Sequence, residues 1–109
     1  MRRVHFGSGS IFLTGDAVAA VLMEYVRAVA GTGRTDLIAV PVVTEHGGSG
    51  TVTLLVTQAS RISAEPTEDG GRELRDDLFV ERLRGKTRDL VEAHVWTGEG
   101  SEESAGRGR

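Results

Sequence analysis

The most informative absence in this sequence of 109 residues is cysteine, which does not occur at all. Disulfide bonds, thiol catalysis and zinc sites built from cysteine are therefore excluded. Other residues that shape a fold are scarce, since the chain has two prolines, three phenylalanines, one tyrosine and one tryptophan. We therefore expect a core built from valine, leucine, isoleucine and alanine.

The sequence also lacks long apolar runs and an excess of positive charge. No apolar run is long enough to span a membrane, and the first residues contain no hydrophobic signal-peptide segment, so we expect a cytoplasmic protein without a membrane partner. The formal net charge is −3, whereas nucleic-acid binding relies on a basic surface, so we expect no nucleic-acid partner. Twelve of the 13 basic residues are arginine, which is typical of a high-GC coding sequence such as an actinobacterial one.

The order of apolar patterns predicts an α+β fold. We expect a small antiparallel sheet of three to five strands in β-β-α-β-β order, with one long helix packed on it and a second, C-terminal helix. A first hairpin turns at residues 7–10, with Val4 and Phe6 pointing inward on one arm and Ile11 and Leu13 on the other. One bent strand is the alternative.

The long helix is predicted over residues 17–30, where nothing breaks the pattern and Gly31 stands at the C-terminal end. Its only charged residues are Glu24 and Arg27, which lie three positions apart and so share one narrow stripe. The remaining apolar arc is wider than a helix needs when it packs on a single sheet. We therefore expect something else to cover a second side of this helix.

The next strands are predicted over 36–44 and 51–57, joined as an antiparallel hairpin, with a short last strand over 61–65. The strand at 36–44 is apolar on both faces, although Pro41 in its middle favours an edge or a bulge. The strand at 51–57 alternates apolar residues with threonine, with Leu55 as the exception. A strand that is apolar on both faces again indicates a second cover.

The sequence divides into an α/β core domain at 1–66, an acidic loop with a C-terminal helix at 67–96 and a disordered tail at 97–109. We predict the helix over 73–95. Gly85 weakens its middle by about 1 kcal/mol relative to alanine, so the helix could bend there. It packs either on its own sheet or on another chain, through a seam formed by Leu74, Leu78, Leu83, Leu90 and His94.

Two segments resemble catalytic or nucleotide-binding motifs but lack residues that these motifs require. Residues 31–35, G-T-G-R-T, lack the first glycine and the lysine of a phosphate-binding loop and follow a helix instead of opening one, so we interpret them as a helix-ending turn. Ser49 lacks the second glycine of a nucleophile elbow. The histidines stand on separate elements. We therefore predict no catalytic residue, no cofactor and no metal site, and hence no enzyme.

The function we expect is that of a small protein-interaction module, homodimeric and acting on a protein partner as an adaptor, an antitoxin-like inhibitor or an assembly subunit. One copy carries more apolar surface than its own layers cover, and a standard interface buries about 800 Å² per partner. The predicted interaction residues are Met23, Val26, Ala30, Ile38, Val40, Val42, Leu78 and Leu83. The alternative is a ligand-binding module with a pocket between helix and sheet and polar groups from Tyr25, Arg27 and residues 45–50.

Overall fold

Two strands, a helix, three strands and a second helix follow one another in a computed structural model that describes residues 1–68 and 72–100. The elements are β1 (Arg2–Phe6), β2 (Ser10–Thr14), α1 (Asp16–Ala30), β3 (Asp36–Val43), β4 (Ser49–Val56), β5 (Ile62–Pro66) and α2 (Asp77–Gly100). The strands form one open antiparallel sheet in the order β4-β3-β2-β1-β5. The predicted α+β class and the β-β-α-β-β order are confirmed.

The core lies between the inner face of this sheet and the two helices. Helix α1 packs on the sheet, and α2 packs against α1. Valine, leucine, isoleucine and alanine make up most of the core, together with two phenylalanines and Tyr25, as the scarcity of aromatic residues predicts. No helix in the described residues is both long and apolar enough to cross a bilayer.

The register of the first hairpin differs from the prediction. Phe6 pairs with Ser10 and Val4 pairs with Phe12, across a three-residue turn that contains Gly7 at a φ of 64°. Because paired residues in an antiparallel ladder share a face, Phe12 points inward with Val4. The predicted inward position of Ile11 and Leu13 is therefore wrong. Ile11 is 61% exposed on the opposite face, and Leu13 is half-buried there.

Pro41 lies in β3, which stands between β4 and β2 in the sheet. The carbonyl of Pro41 accepts a hydrogen bond from Oγ1 of Thr14, so its backbone groups face the β2 side and not β4. On that side, the paired register is Leu13 with Val43, beyond Pro41. The missing N–H of Pro41 therefore costs no bond of the β3–β4 ladder. On its β2 side, β3 is paired only at Val43, so Pro41 lies where this side of the strand has no ladder partner.

Helix α2 begins later than predicted, because Asp76 caps it. Oδ1 of Asp76 accepts a hydrogen bond from the N–H of Phe79 at 3.0 Å, which satisfies one of the free N–H groups of the first turn. The helix continues through Gly85 without a break. It extends to Gly100, four residues into the predicted tail at 97–109, and residues 101–109 lie outside the described part of the chain.

The buried face of α2 also differs from the predicted seam. Leu83 and Leu90 are buried as predicted, and they share their face with Val80. The placement of Leu78 in the seam is wrong, because five residues of helix rotate it away from Leu83 and leave it 61% exposed. Leu74 precedes the helix and packs partly against the core. The side chain of His94 lies outside the described residues.

Candidate functional site

Most of the predicted interaction residues belong to the core of their own chain and not to a surface. Five of them are 6% exposed or less: Val26, Ile38, Val40, Val42 and Leu83. Met23, Ala30 and Leu78 are exposed. The eight residues therefore do not form one binding surface, and the buried five can contact a partner only if the protomer opens.

The second side of α1 is covered by the same chain. Val26 and Val29 on α1 are 3% and 1% exposed, while α2 contributes Leu83 and Leu90 to the same cluster. The cover that the sequence predicts for a second side of α1 is therefore α2 of the same chain, although Met23 and Ala30 remain exposed. Of the two alternatives for the C-terminal helix, packing on its own domain and packing on another chain, the structure shows the first.

The outer face of β3 is an apolar surface that the described part of the chain leaves open. Ile38, Val40 and Val42 point into the core, whereas Leu37 is 65% exposed on the opposite face. Leu37 pairs directly with Leu55 of β4, which is 55% exposed. The prediction that β3 is apolar on both faces is confirmed, and the described part of the chain leaves this leucine pair in contact with solvent.

This apolar surface extends along the hairpin towards the start of α2. We use the name outer patch for the outward residues of β3 and β4 together with one residue of α2: Leu37, Ala39, Pro41, Thr51, Thr53, Leu55 and Leu78. Leu78 belongs to it because it lines a depression of about 200 Å³ with Ala39, Pro41 and Thr51, and Asp76, Phe79 and Arg82 complete the lining. The seven residues of the outer patch are uncharged, and the charged side chains of Asp76 and Arg82 border it at Leu78.

The other half of the same sheet face is charged. The outward residues of β1 and β5 include Arg3, His5 and Glu65, and Oε1 of Glu65 lies 3.0 Å from Nε2 of His5 and 3.5 Å from Nη1 of Arg3. The hydrogen bond with His5, supported by Arg3, lowers the pKa of the Glu65 carboxyl. A charged rim beside an uncharged apolar centre is the usual anatomy of a protein–protein interface.

The two edges of the sheet differ in how they are protected. Natural edge strands avoid pairing with other chains by being short or by carrying charged residues or proline. Strand β5 has five residues, carries Glu65 and ends at Pro66. Strand β4 has eight residues without a charge or a proline, and β3 is its pairing partner in the sheet. Within residues 1–68 and 72–100, no strand pairs with the free edge of β4, which is therefore open to another strand.

The position of Pro41 identifies the backbone groups that face this free edge. Since the backbone of Pro41 points away from β4, the pair of Pro41 with Thr51 is not hydrogen-bonded. Pairs alternate along an antiparallel ladder, so Thr53 and Leu55 are also in non-hydrogen-bonded pairs with β3. The N–H and C=O groups of Thr51, Thr53 and Leu55 therefore point towards the free side of β4.

A polar cluster at the start of β3 joins this strand to α1 and α2. The hydroxyl of Tyr25 on α1 donates to Oδ2 of Asp36 at 2.5 Å, and Nζ of Lys86 on α2 donates to the same oxygen at 2.8 Å. The hydrogen bond from Lys86, followed by that from Tyr25, lowers the pKa of Asp36. Burial and the contact with Asp36 raise the pKa of Tyr25. A cavity of about 290 Å³ lies beside the cluster.

Acid is expected to weaken this cluster. A carboxyl whose pKa is lowered by folding contributes stability above its unfolded value of 3.8, and that contribution disappears as the pH falls through the lower folded value. Asp36→Asn is therefore expected to cost about 1 kcal/mol at pH 7 and progressively less below pH about 4. Urea unfolding at several pH values measures this difference.

Asp89→Asn is the matched control, because Asp89 is an exposed carboxylate that lines the same cavity. We expect it to change the free energy of unfolding by less than about 0.5 kcal/mol. A loss from Asp36→Asn that is the same at pH 3 and pH 7 would show that the ion pair with Lys86 does not hold α2 in place.

The polar groups of the alternative ligand site are not brought together. Tyr25 contacts the start of β3, whereas residues 45–50 follow its other end, and eight residues of strand span about 26 Å. Arg27 is exposed on α1 and lines the groove towards Thr87 of α2. Within the described residues, no group of three or more His, Asp or Glu could hold a metal ion.

Comparison of the chain with protein-family models, with curated proteins and with solved structures finds no match. The structure itself defines an α+β protein with an open five-stranded antiparallel sheet and both helices on one face. Since one architecture serves many functions, the fold alone indicates none, and the outer patch and the β4 edge are the features that bear on function.

Proposed function

We propose that this chain is a small cytoplasmic protein-interaction module that works as a homodimer, formed through the β3–β4 hairpin, and presents the outer patch to a protein partner. The observation that supports the proposal is the exposed pair of Leu37 and Leu55 on a sheet face that the described chain leaves uncovered. Neither catalysis nor a cofactor is part of the proposal.

The partner that we propose for this hairpin is a second copy of the chain. The outer patch and the free edge both lack charge, so two copies meet without like-charge repulsion at the centre of the contact. The charged residues Arg3 and Glu65 of this face stand on the far strands β1 and β5 and remain in solvent. Contact along the hairpin removes the apolar side chains beside the free edge of β4 from water, at roughly 25 cal/mol per Å² of apolar area, and leaves the outer patch available to a protein partner.

The mass of the protein in solution tests the proposal. Light scattering at about 100 μM is expected to give twice the chain mass of 11.6 kDa, falling towards 11.6 kDa on dilution. A mass of 11.6 kDa throughout this range would overturn the homodimer. A mass well above two chains would show that the free edge forms open assemblies instead.

A further inference from the structure

The open edge of β4 suggests how two copies are joined. Resting on the proposed homodimer, we infer that β4 of one copy pairs antiparallel with β4 of a second copy, with the two-fold axis at Thr53. The two five-stranded sheets then form one continuous sheet. Both copies offer the same strand, as a two-fold interface requires.

The register follows from the backbone groups that face the free edge. Thr51, Thr53 and Leu55 carry these groups, and their centre is Thr53. With the axis at this residue, Thr53 faces Thr53 of the second copy and Leu55 faces its Thr51, each as a hydrogen-bonded pair with Cα atoms about 5.5 Å apart. The free N–H and C=O groups of these residues are then satisfied.

The side chains on both faces fit this register. On the outer face, Leu37 and Leu55 form a row with Thr51 and Pro41 of the second copy, so the two outer patches join into one uncharged surface. On the inner face, the half-buried Val52 stands beside Leu54 of the second copy. Moving the axis to Val52 would instead place Leu54 opposite Gly50, with less apolar contact.

Thr53→Pro tests the pairing directly. Proline removes the N–H of this residue, which faces the free edge and takes no part in the β3–β4 ladder, just as Pro41 is accommodated in β3. We expect Thr53→Pro to be folded by circular dichroism and monomeric by light scattering. Thr53→Ala is the matched control, since it shortens the side chain and retains the N–H, and it is expected to remain dimeric.

The outcomes distinguish the proposed homodimer from the proposed pairing of β4 with β4. If the wild-type protein is a dimer and Thr53→Pro is also a folded dimer, pairing through the β4 edge is overturned while the homodimer stands. If the wild-type protein is monomeric, both proposals fall. A dimer that Thr53→Pro separates and Thr53→Ala retains supports edge pairing.

Cysteine variants keep the inference testable if Thr53→Pro fails to fold. The natural chain has no cysteine, so Thr53→Cys and Ser63→Cys each introduce a unique thiol, one on β4 and one on the β5 edge. A short bis-maleimide linker is expected to convert Thr53→Cys to covalent dimer at least tenfold faster than Ser63→Cys. Equal rates would contradict the pairing of β4 with β4.

Discussion

Thr53→Asp is expected to separate the homodimer, and mixing it with Thr53→Lys is expected to restore it. Across the two-fold axis, each variant places two residues of like charge directly opposite each other, with their Cα atoms about 5.5 Å apart. If the charges are separated by a similar distance, their repulsion amounts to about 1 kcal/mol at the dielectric constant of water and about 3 kcal/mol at that of a protein surface. The dissociation constant should therefore rise roughly fivefold to a hundredfold for either variant alone.

The mixed pair reverses the sign of this interaction, because aspartate then faces lysine. Native mass spectrometry of an equimolar mixture should show predominantly the heterodimer, and added salt should reduce the preference. Ser63→Asp on the β5 edge is the control that places the same charge away from the axis, and we expect it to leave the mass unchanged. A mixture that forms the two homodimers and the heterodimer in statistical proportion would contradict an axis at Thr53.

Leu83→Ala is expected to have the largest effect on the stability of the protomer, whereas Leu78→Ala is expected to have almost none. Leu83 is 2% exposed between α2 and the core, so its truncation removes buried contacts and leaves a cavity that costs about 2–4 kcal/mol. Leu78 is 61% exposed, and its truncation should change the free energy of unfolding by less than about 0.5 kcal/mol.

Urea unfolding measures the free energy of unfolding of both variants. The comparison is matched, because both residues are leucines of α2 and both are replaced by alanine. It should be carried out at a concentration at which the protein is monomeric, because dimerisation adds stability by mass action. Equal losses from the two leucines would contradict the packing of α2 on α1 and would favour a helix that packs on another chain.

The element order could be predicted from the sequence because each element has a strong local signal. Helix α1 has no breaker before Gly31, and glycine-containing turns stand on both sides of β3. The start of α2 also had a local signal, since Asp76 is a preferred N-cap residue, but the helical pattern continues upstream to Glu73 and obscured it.

What covers each apolar surface could not be predicted, because it depends on tertiary packing. A wide apolar arc on α1 looks the same in sequence whether α2 or another chain packs against it. The pairing of β5 with β1 leaves β4 at the edge, and no local pattern specifies that order. The inward side of β2 depended on whether Phe6 pairs with Ser10, since a shift of one residue moves every side chain to the other face.

One component of the candidate site was nevertheless visible in the sequence. Leu55 interrupts the alternation of threonine with apolar residues in β4, and the antiparallel hairpin places it beside the strand that is apolar on both faces. The predicted strand bounds would have placed Leu37 opposite Gln58, and only the shorter turn of the structure pairs Leu37 with Leu55. The exposure of these residues still required the full sheet, because a further helix could have covered them.

Amide hydrogen exchange along β4 tests edge pairing most directly. Within the described residues of one protomer, the N–H groups of Thr51, Thr53 and Leu55 face solvent, whereas Val52 and Leu54 stand in hydrogen-bonded pairs with β3. If β4 pairs with β4 of a second copy, all five amides exchange slowly at about 100 μM, and the three that face the edge lose their protection on dilution. Exchange of those three at unprotected rates, at a concentration where the mass is that of two chains, would contradict it.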